Sequence, residues 1–386
     1  MRLMSLTTEP TTSQQSSSDQ SLVVEEAGMA IIAEEGTFKR RIPARWLRLM
    51  GSEPRSMVEQ TGQRAFDTTS IPVEIRVRST SFNAEEGIWE VRFEGETDAI
   101  EIDFERLRSS SCVEQIDGPL PSPFTSADQP ARALDFENLD SPAAVRSLLE
   151  TLFRRGYARV RGVPPKESAL IDLARRLGAH RGASKPRVIT EQVGANASSC
   201  TSASRGCLAH TDDPYLDPMP RYLLQLCVEN SLSGGELQLV DGMNAAETLA
   251  MEAPIMAAEL ARWPMLFTCS GSDFDYRALR TLLETSADGS FQRITFNDRA
   301  ALDFMCPEDR LPVCSEGYDL LARILQREGL QNRFRVQAGD LVLIDNHRVL
   351  HGRSTHSAGD RTLLSCSLDR SEVFSTWRRA RSGNLD

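Results

Sequence analysis

Gly339-Asp-Leu-Val-Leu-Ile-Asp-Asn-His-Arg-Val-Leu-His-Gly-Arg353 is the stretch on which the fold reading turns. Its apolar run, Leu341 to Ile344, reads as a fully buried strand, and such a strand delivers its C-terminal end to a site. The residue delivered near that end is His351. Upstream, His210-Thr-Asp212 places an imidazole and a carboxylate two residues apart, so in extended chain both side chains leave the same face. Alone, such a pair more often marks a solvated turn or a hydrogen-bonded core histidine. With His351 it becomes a set of two histidines and one carboxylate. That set occupies one face of an octahedron and leaves three positions open, the arrangement of non-haem Fe(II) centres.

Ten residues beyond His351 lies Arg361, across Ser357-Ala-Gly-Asp360. This reads as a turn that folds the chain into a hairpin and returns the guanidinium to the metal. A planar cation there suits a carboxylate ligand.

Strands also dominate around these motifs. Tyr222-Leu-Leu-Gln-Leu-Cys-Val, Gly235-Glu-Leu-Gln-Leu-Val and Arg361-Thr-Leu-Leu-Ser-Cys-Ser-Leu have strand character, with helices near 243–262 and 316–328. On the last strand Arg361, Leu363, Ser365 and Ser367 share one face, which is expected to line a pocket. Ser141-Pro begins a helix with apolar positions 145, 148, 149 and 152, ending near Gly156, followed by a strand from Tyr157 and a second amphipathic helix through Leu177. Many short strands with flanking helices fit a jelly-roll core.

The N-terminal part differs. Residues 1–20 are rich in Ser, Thr and Gln and read as a disordered tail. Residues 21–111 carry short strand-like runs beginning at Ser21, Met29, Val73, Ile88 and Ala99, as in a small all-β module. Residues 112–140 hold prolines, serines and aspartates and suit a linker to a larger domain at 141–386.

Composition bounds the rest. At 386 residues with 40% hydrophobic and 26% charged side chains, the chain is ordinary globular material, and no apolar run reaches bilayer-spanning length. A formal charge of −11 without a Lys/Arg stripe makes nucleic acid a poor partner. The partner expected is a small-molecule substrate. The eight cysteines include no Cys-x-x-Cys pair, and no secretory leader is written at the N-terminus, so reduced thiols in a cytoplasm are expected.

Three motifs in order, His210-Thr-Asp-Asp-Pro-Tyr215, Ser233-Gly-Gly-Glu-Leu-Gln-Leu-Val-Asp-Gly242 and Asp345-Asn-His-Arg-Val-Leu-His-Gly-Arg353, resemble the 2-oxoglutarate oxygenases of the taurine dioxygenase superfamily. Within it they look like the γ-butyrobetaine and trimethyllysine hydroxylase branch. The resemblance runs from Ser141 to Trp377, and more faintly over Ile42-Pro-Ala-Arg-Trp-Leu-Arg48. It implies a double-stranded β-helix with Fe(II) held at His210, Asp212 and His351. It also implies 2-oxoglutarate held by Arg361, O₂ as second co-substrate, and hydroxylation of an unactivated C–H bond with release of succinate and CO₂. It allows a homodimer.

The departures are specific. The branch carries a zinc site of cysteines and a histidine in its opening module, whereas residues 1–111 contain neither residue type, so no zinc is expected there. The branch holds a trimethylammonium group in an aromatic cage, because aromatic faces attract a cation that cannot donate hydrogen bonds. Here no Phe, Tyr or Trp lies between Arg181 and Ala209, a stretch that includes Cys200, and Ser367 stands where a cage tyrosine is expected. The expected substrate is therefore a small polar, amino-acid- or amine-like metabolite. Asn297 matches a substrate-contacting asparagine of the branch, though it equally suits a turn cap. Arg205 and Tyr215 flank the His-Thr-Asp motif and join Cys200, Ser367 and Asn297 as candidate substrate contacts. Leu237 replaces a hydroxyl residue that relatives use on 2-oxoglutarate.

Two rival classes remain at this point, besides desaturation, epoxidation or ring closure by the same chemistry. His347 and His351 are four apart, which on a helix would make a zinc pair, so a zinc-dependent hydrolase is the second reading. A catalytically silent jelly-roll binding protein is the third.

Overall fold

The computed structural model describes residues 20–109, 118–178, 187–193, 206–356 and 359–383. Positions 1–19 of the expected tail, together with Cys200 and Arg205, lie outside the described residues. The chain divides into two compact units, Met1–Ile116 and Asp117–Asp386.

In the first unit, Gln20–Glu25, Ala30–Glu35 and Phe38–Pro43 form one antiparallel sheet and Val77–Asn83, Ile88–Phe93 and Ile100–Ile102 a second. A short ribbon, Met57–Val58 with Gln63–Arg64, and the helices Ala44–Arg48 and Phe104–Ser109 complete it. Leu22, Ile31, Ile42, Trp89 and Phe93 are buried in its core. The strand expected from Val73 starts instead at Val77. Val73 sits in a turn with its side chain exposed, and Val77 is the first residue with a cross-strand partner, Phe93.

Strands also dominate the second unit. Its main sheets have six strands, with Arg361–Leu368, Tyr222–Asn230 and Leu341–Asp345 toward the middle, and four, with Cys207–His210, Val349–Arg353, Leu237–Asp241 and Gln331–Phe334 in order. The period-two alternation decides what each face buries. Leu341 and Leu343 pack with the helices Pro142–Arg155, Glu167–Leu177 and Arg370–Ser382, whereas Val342, Ile344 and Leu363 pack with Leu237, Leu239 and Val349 of the smaller sheet. The layers are helices, large sheet, small sheet, and then the helices Gly242–Glu252, Pro254–Arg262 and Leu311–Leu325 on the far side. Among the described residues no helix is long and apolar enough to cross a membrane.

Local signals explain the edges of these elements. The Ser141 hydroxyl accepts from Ala144 N, Pro142 takes the first helical position, and Gly156 closes the helix at φ 73°. A side chain at Gly156 would also meet Val349 Cγ2 at 2.5 Å, so glycine is needed there twice over.

Residues 118–140 do not behave as a linker. Phe124 is fully buried between the two sheets, the Ala131 amide donates to the Tyr157 hydroxyl, and Leu134–Asp135 adds a parallel edge strand to the large sheet. Proline-rich chain looks extended in sequence whether it is free or laid against a core. The expected hairpin between His351 and Arg361 is absent too. Val349–Arg353 belongs to the four-stranded sheet and Arg361–Leu368 to the six-stranded one, so the chain crosses from sheet to sheet. Residues 357–358 of the expected turn lie outside the described residues.

Candidate metal centre

Cross-strand register brings the site together. His210 ends the edge strand of the small sheet and pairs directly with His351, which in turn faces Leu239 on its other side. The two imidazole rings are 4.8 Å apart between centroids. Asp212 reaches back between them, with Oδ1 3.3 Å from His210 Nε2 and Oδ2 3.3 Å from His351 Nε2. Ligand-capable atoms of these three residues lie within 4.8 Å of one another.

The surroundings fix each group. Thr211, between the two motif residues, turns the other way and is buried, its amide donating to the Phe296 carbonyl at 2.7 Å. Asn346 accepts from the Asp212 amide (2.8 Å) and donates to the Asp212 carbonyl (2.9 Å), clamping that backbone from the turn ahead of His351. His210 Nδ1 lies 2.8 Å from the Leu208 carbonyl, which can only accept, so Nδ1 donates to it and Nε2 is the nitrogen turned to Asp212. This carbonyl–imidazole arrangement is the one that orients metal-binding histidines.

Electrostatics also favour a cation. Burial opposes ionisation of Asp212, but the flanking imidazoles, His351 first, outweigh it and hold the carboxyl far below the usual range. An anionic oxygen pair between two imidazole nitrogens fits a divalent ion, and the donor set of two nitrogens and one carboxylate is the one non-haem Fe(II) takes.

An open cleft adjoins the three, enclosing about 630 Å³ including its mouth to solvent. Arg361 and Arg353 line it from opposite sheets, both buried. Burial and the neighbouring Arg353 lower the Arg361 pKa, which means that the pair favours an anion between or beside them. Leu237 lines the cleft opposite Arg353 in register, so the hydroxyl expected of relatives is replaced there by an apolar wall.

Other expected contacts lie elsewhere. Leu363 lines the cleft, but Ser367, two positions past Ser365 on the same face, is exposed and outside it. The face of a strand was legible, but not where along it the pocket ends. Asn297 spends its side chain on structure: its oxygen accepts from the Arg299 and Ala300 amides and its nitrogen donates to the Thr211 carbonyl. It thereby holds the His-Thr-Asp motif without lining the cleft. Tyr215 likewise donates to Asp213 (2.7 Å) and stacks on Tyr276.

His347 is four residues from His351, but a turn and a strand carry them, so the helical zinc pair does not exist. His347 Nε2 donates to the Met219 carbonyl, and burial pushes its pKa down to about 4. Sequence reading missed Glu191, Gln225, Cys207 and Arg353 as cleft residues. Gln225 had a signal, a lone amide in the apolar run 222–228; Glu191, on the short strand Ile189–Val193, had almost none.

Gly352 makes the register possible. A Cβ there would lie 2.6 Å from the Cys207 carbonyl oxygen and 2.9 Å from the Ala209 amide nitrogen, both on the strand that carries His210. Gly352→Ala is therefore expected to push that strand away and weaken metal binding by about 100-fold, since a misplacement near 1 Å has effects of that order. Fe(II) titration of the variant checks this, and unchanged affinity would refute it.

This chain is similar to known proteins. The family described as taurine catabolism dioxygenase TauD/TfdA matches residues 118–367. A γ-butyrobetaine dioxygenase of Pseudomonas sp. (strain AK-1) is 28% identical over 222 residues, 57% of this chain and 58% of the relative. The human γ-butyrobetaine dioxygenase is 27% identical over 271 residues, 65% of this chain and 68% of the relative. A mitochondrial trimethyllysine dioxygenase of Bos taurus is 26% identical over 256 residues, 64% and 60% respectively. The matched stretch thus spans somewhat under two thirds of the Pseudomonas and bovine proteins.

Proposed function

Because the chain belongs to the taurine catabolism dioxygenase family TauD/TfdA, we propose that it is an Fe(II)- and 2-oxoglutarate-dependent dioxygenase that hydroxylates a small amine- or amino-acid-like metabolite. The observation that carries this reading is the convergence of His210, Asp212 and His351 beside a cleft with two buried arginines. The two facing sheets and outer helices are what a double-stranded β-helix would supply, and relatives named for butyrobetaine and trimethyllysine support an amine-like substrate.

In this reading His210 Nε2, Asp212 and His351 Nε2 would hold the metal, with the Leu208 carbonyl accepting from His210 Nδ1 to orient the ring. Bound iron supplies O₂ activation coupled to oxidative decarboxylation of 2-oxoglutarate to succinate and CO₂. Arg361 holds the distal carboxylate of 2-oxoglutarate, with Leu237 and Leu363 keeping water from the apolar side. Val193 and Asn230 flank Arg361 in register, so its position is set by strands on both sides.

The test is anaerobic addition of Fe(II) and 2-oxoglutarate. A weak visible charge-transfer band is expected, with Arg361→Leu needing about 10- to 100-fold more 2-oxoglutarate to reach it, the loss of one charge-assisted anchor. Succinate release with zinc in place of iron, or no band at all, would overturn the reading.

A further inference from the structure

Glu191 is the acidic side chain of the cleft that stands outside the proposed ligand set. It sits on Ile189–Val193, the edge strand of the large sheet, opposite Leu363 and diagonal to Arg361. It lines the cleft with His210, Asp212 and His351. Ser365 donates to one of its oxygens at 3.3 Å, which pins the carboxyl, while its second oxygen has no hydrogen-bond partner among the described residues. No described arginine or lysine comes within ion-pair distance of it.

A structural carboxylate in such a place would be neutralised, because a half-buried anion beside another anion is costly to hold. A cation delivered by a ligand would pair with its second oxygen. The wall around it selects the kind of cation. None of the described residues lining the cleft is Phe, Tyr or Trp, so this described wall offers no aromatic face to a quaternary ammonium. A carboxylate oxygen, in contrast, gains most from a donor that carries hydrogen.

We propose that Glu191 is the specificity-determining residue of this cleft and selects a substrate bearing a cationic N–H group, a primary or secondary ammonium or a guanidinium, over a quaternary ammonium. The inference rests on the oxygenase reading above and narrows its substrate class. It also accounts for a chain similar to trimethylammonium-named relatives but lacking their expected aromatic residues: N–H hydrogen bonding to Glu191 replaces ring contact.

The experiment uses the full chain loaded anaerobically with Fe(II) and 2-oxoglutarate, titrated with 4-aminobutyrate and L-lysine and with the N-trimethylated counterpart of each. Perturbation of the visible band gives affinity without turnover. The N–H members are expected to bind at least about 10-fold more tightly than their trimethylated counterparts, and Glu191→Gln to weaken the N–H members by about 10- to 100-fold while changing the trimethylated ones by less than about twofold. Glu191→Asp should recover part of the lost affinity. Equal or reversed preference, N–H binding untouched by Glu191→Gln, or no response to any of the four from protein that shows the band would each overturn the proposal. Absence of the band in the unaltered protein would instead bring down the oxygenase reading beneath it.

Discussion

Asp212→Ala is expected to abolish the charge-transfer band with Fe(II) and 2-oxoglutarate and to lower succinate formation by about 1000-fold, the equivalent of several kcal/mol of lost metal-ion stabilisation. The size follows from what Asp212 does locally. Its two oxygens are each 3.3 Å from a different imidazole Nε2, so it reaches both histidines from one position. It is also the only anion of the three ligand residues. Removing it leaves the two imidazoles with Arg353 and Arg361 nearby and only Glu191 as an acidic side chain among the described residues of the cleft, a field far less favourable to a dication. Asp212→Asn keeps the shape and the backbone clamp from Asn346 but not the charge, and should resemble alanine in metal affinity. Fe(II) affinity and single-turnover succinate are the measurements. An Asp212→Ala protein that retains the band would show that the metal is held elsewhere.

Much of this site was legible because its chemistry is concentrated in two short segments. His210-Thr-Asp212 works through strand alternation, and His351 through an apolar run that has to be buried; both rest on local periodicity. Arg361 was placed beside the metal site for a reason only half right. Its guanidinium faces the cleft, yet no hairpin puts it there: the chain crosses between sheets, and pairing with Tyr222–Asn230 and Ile189–Val193 sets its place. Those pairings join residues 131 and more apart in sequence at Arg361 and Asn230, and no local pattern encodes them. The same limit hid Glu191. A glutamate in Ile-Thr-Glu-Gln-Val reads as a solvent-facing strand position, and only the neighbouring strand turns that face inward. Asn297 and Tyr215, read as substrate contacts from their place near the motif, have their polar atoms engaged with the motif itself. The segment 118–140 was misread because composition reports turn content, not whether an aromatic such as Phe124 is buried.

Arg348→Ala is expected to cost about 3 to 5 kcal/mol of stability, the range for removing one member of a buried ion pair. Arg348 and Asp241 are both almost wholly buried, with Nη2 2.7 Å from Oδ2 and Nε 3.2 Å from Oδ1. The guanidinium also donates to the Phe153 and Arg154 carbonyls at the end of Pro142–Arg155, while Asp241 accepts from the Phe124 amide and caps Gly242–Glu252 through the Met243 amide. One pair thus ties together the buried 118–140 segment, a helix on each side of the sheets, and the turn three residues before His351. Alanine at 348 strands the Asp241 carboxylate in the core with only two amide donors. Alanine at 241 strands the guanidinium and frees those amides, so its cost should be no smaller. Replacing both together with apolar residues should recover only part of the loss, because the Phe124 and Met243 amides would still lack an acceptor. Urea unfolding of the two single variants and the double variant measures all three terms. A single-variant cost below about 1 kcal/mol, the ordinary range for an exposed pair, would mean that water reaches this pair in solution.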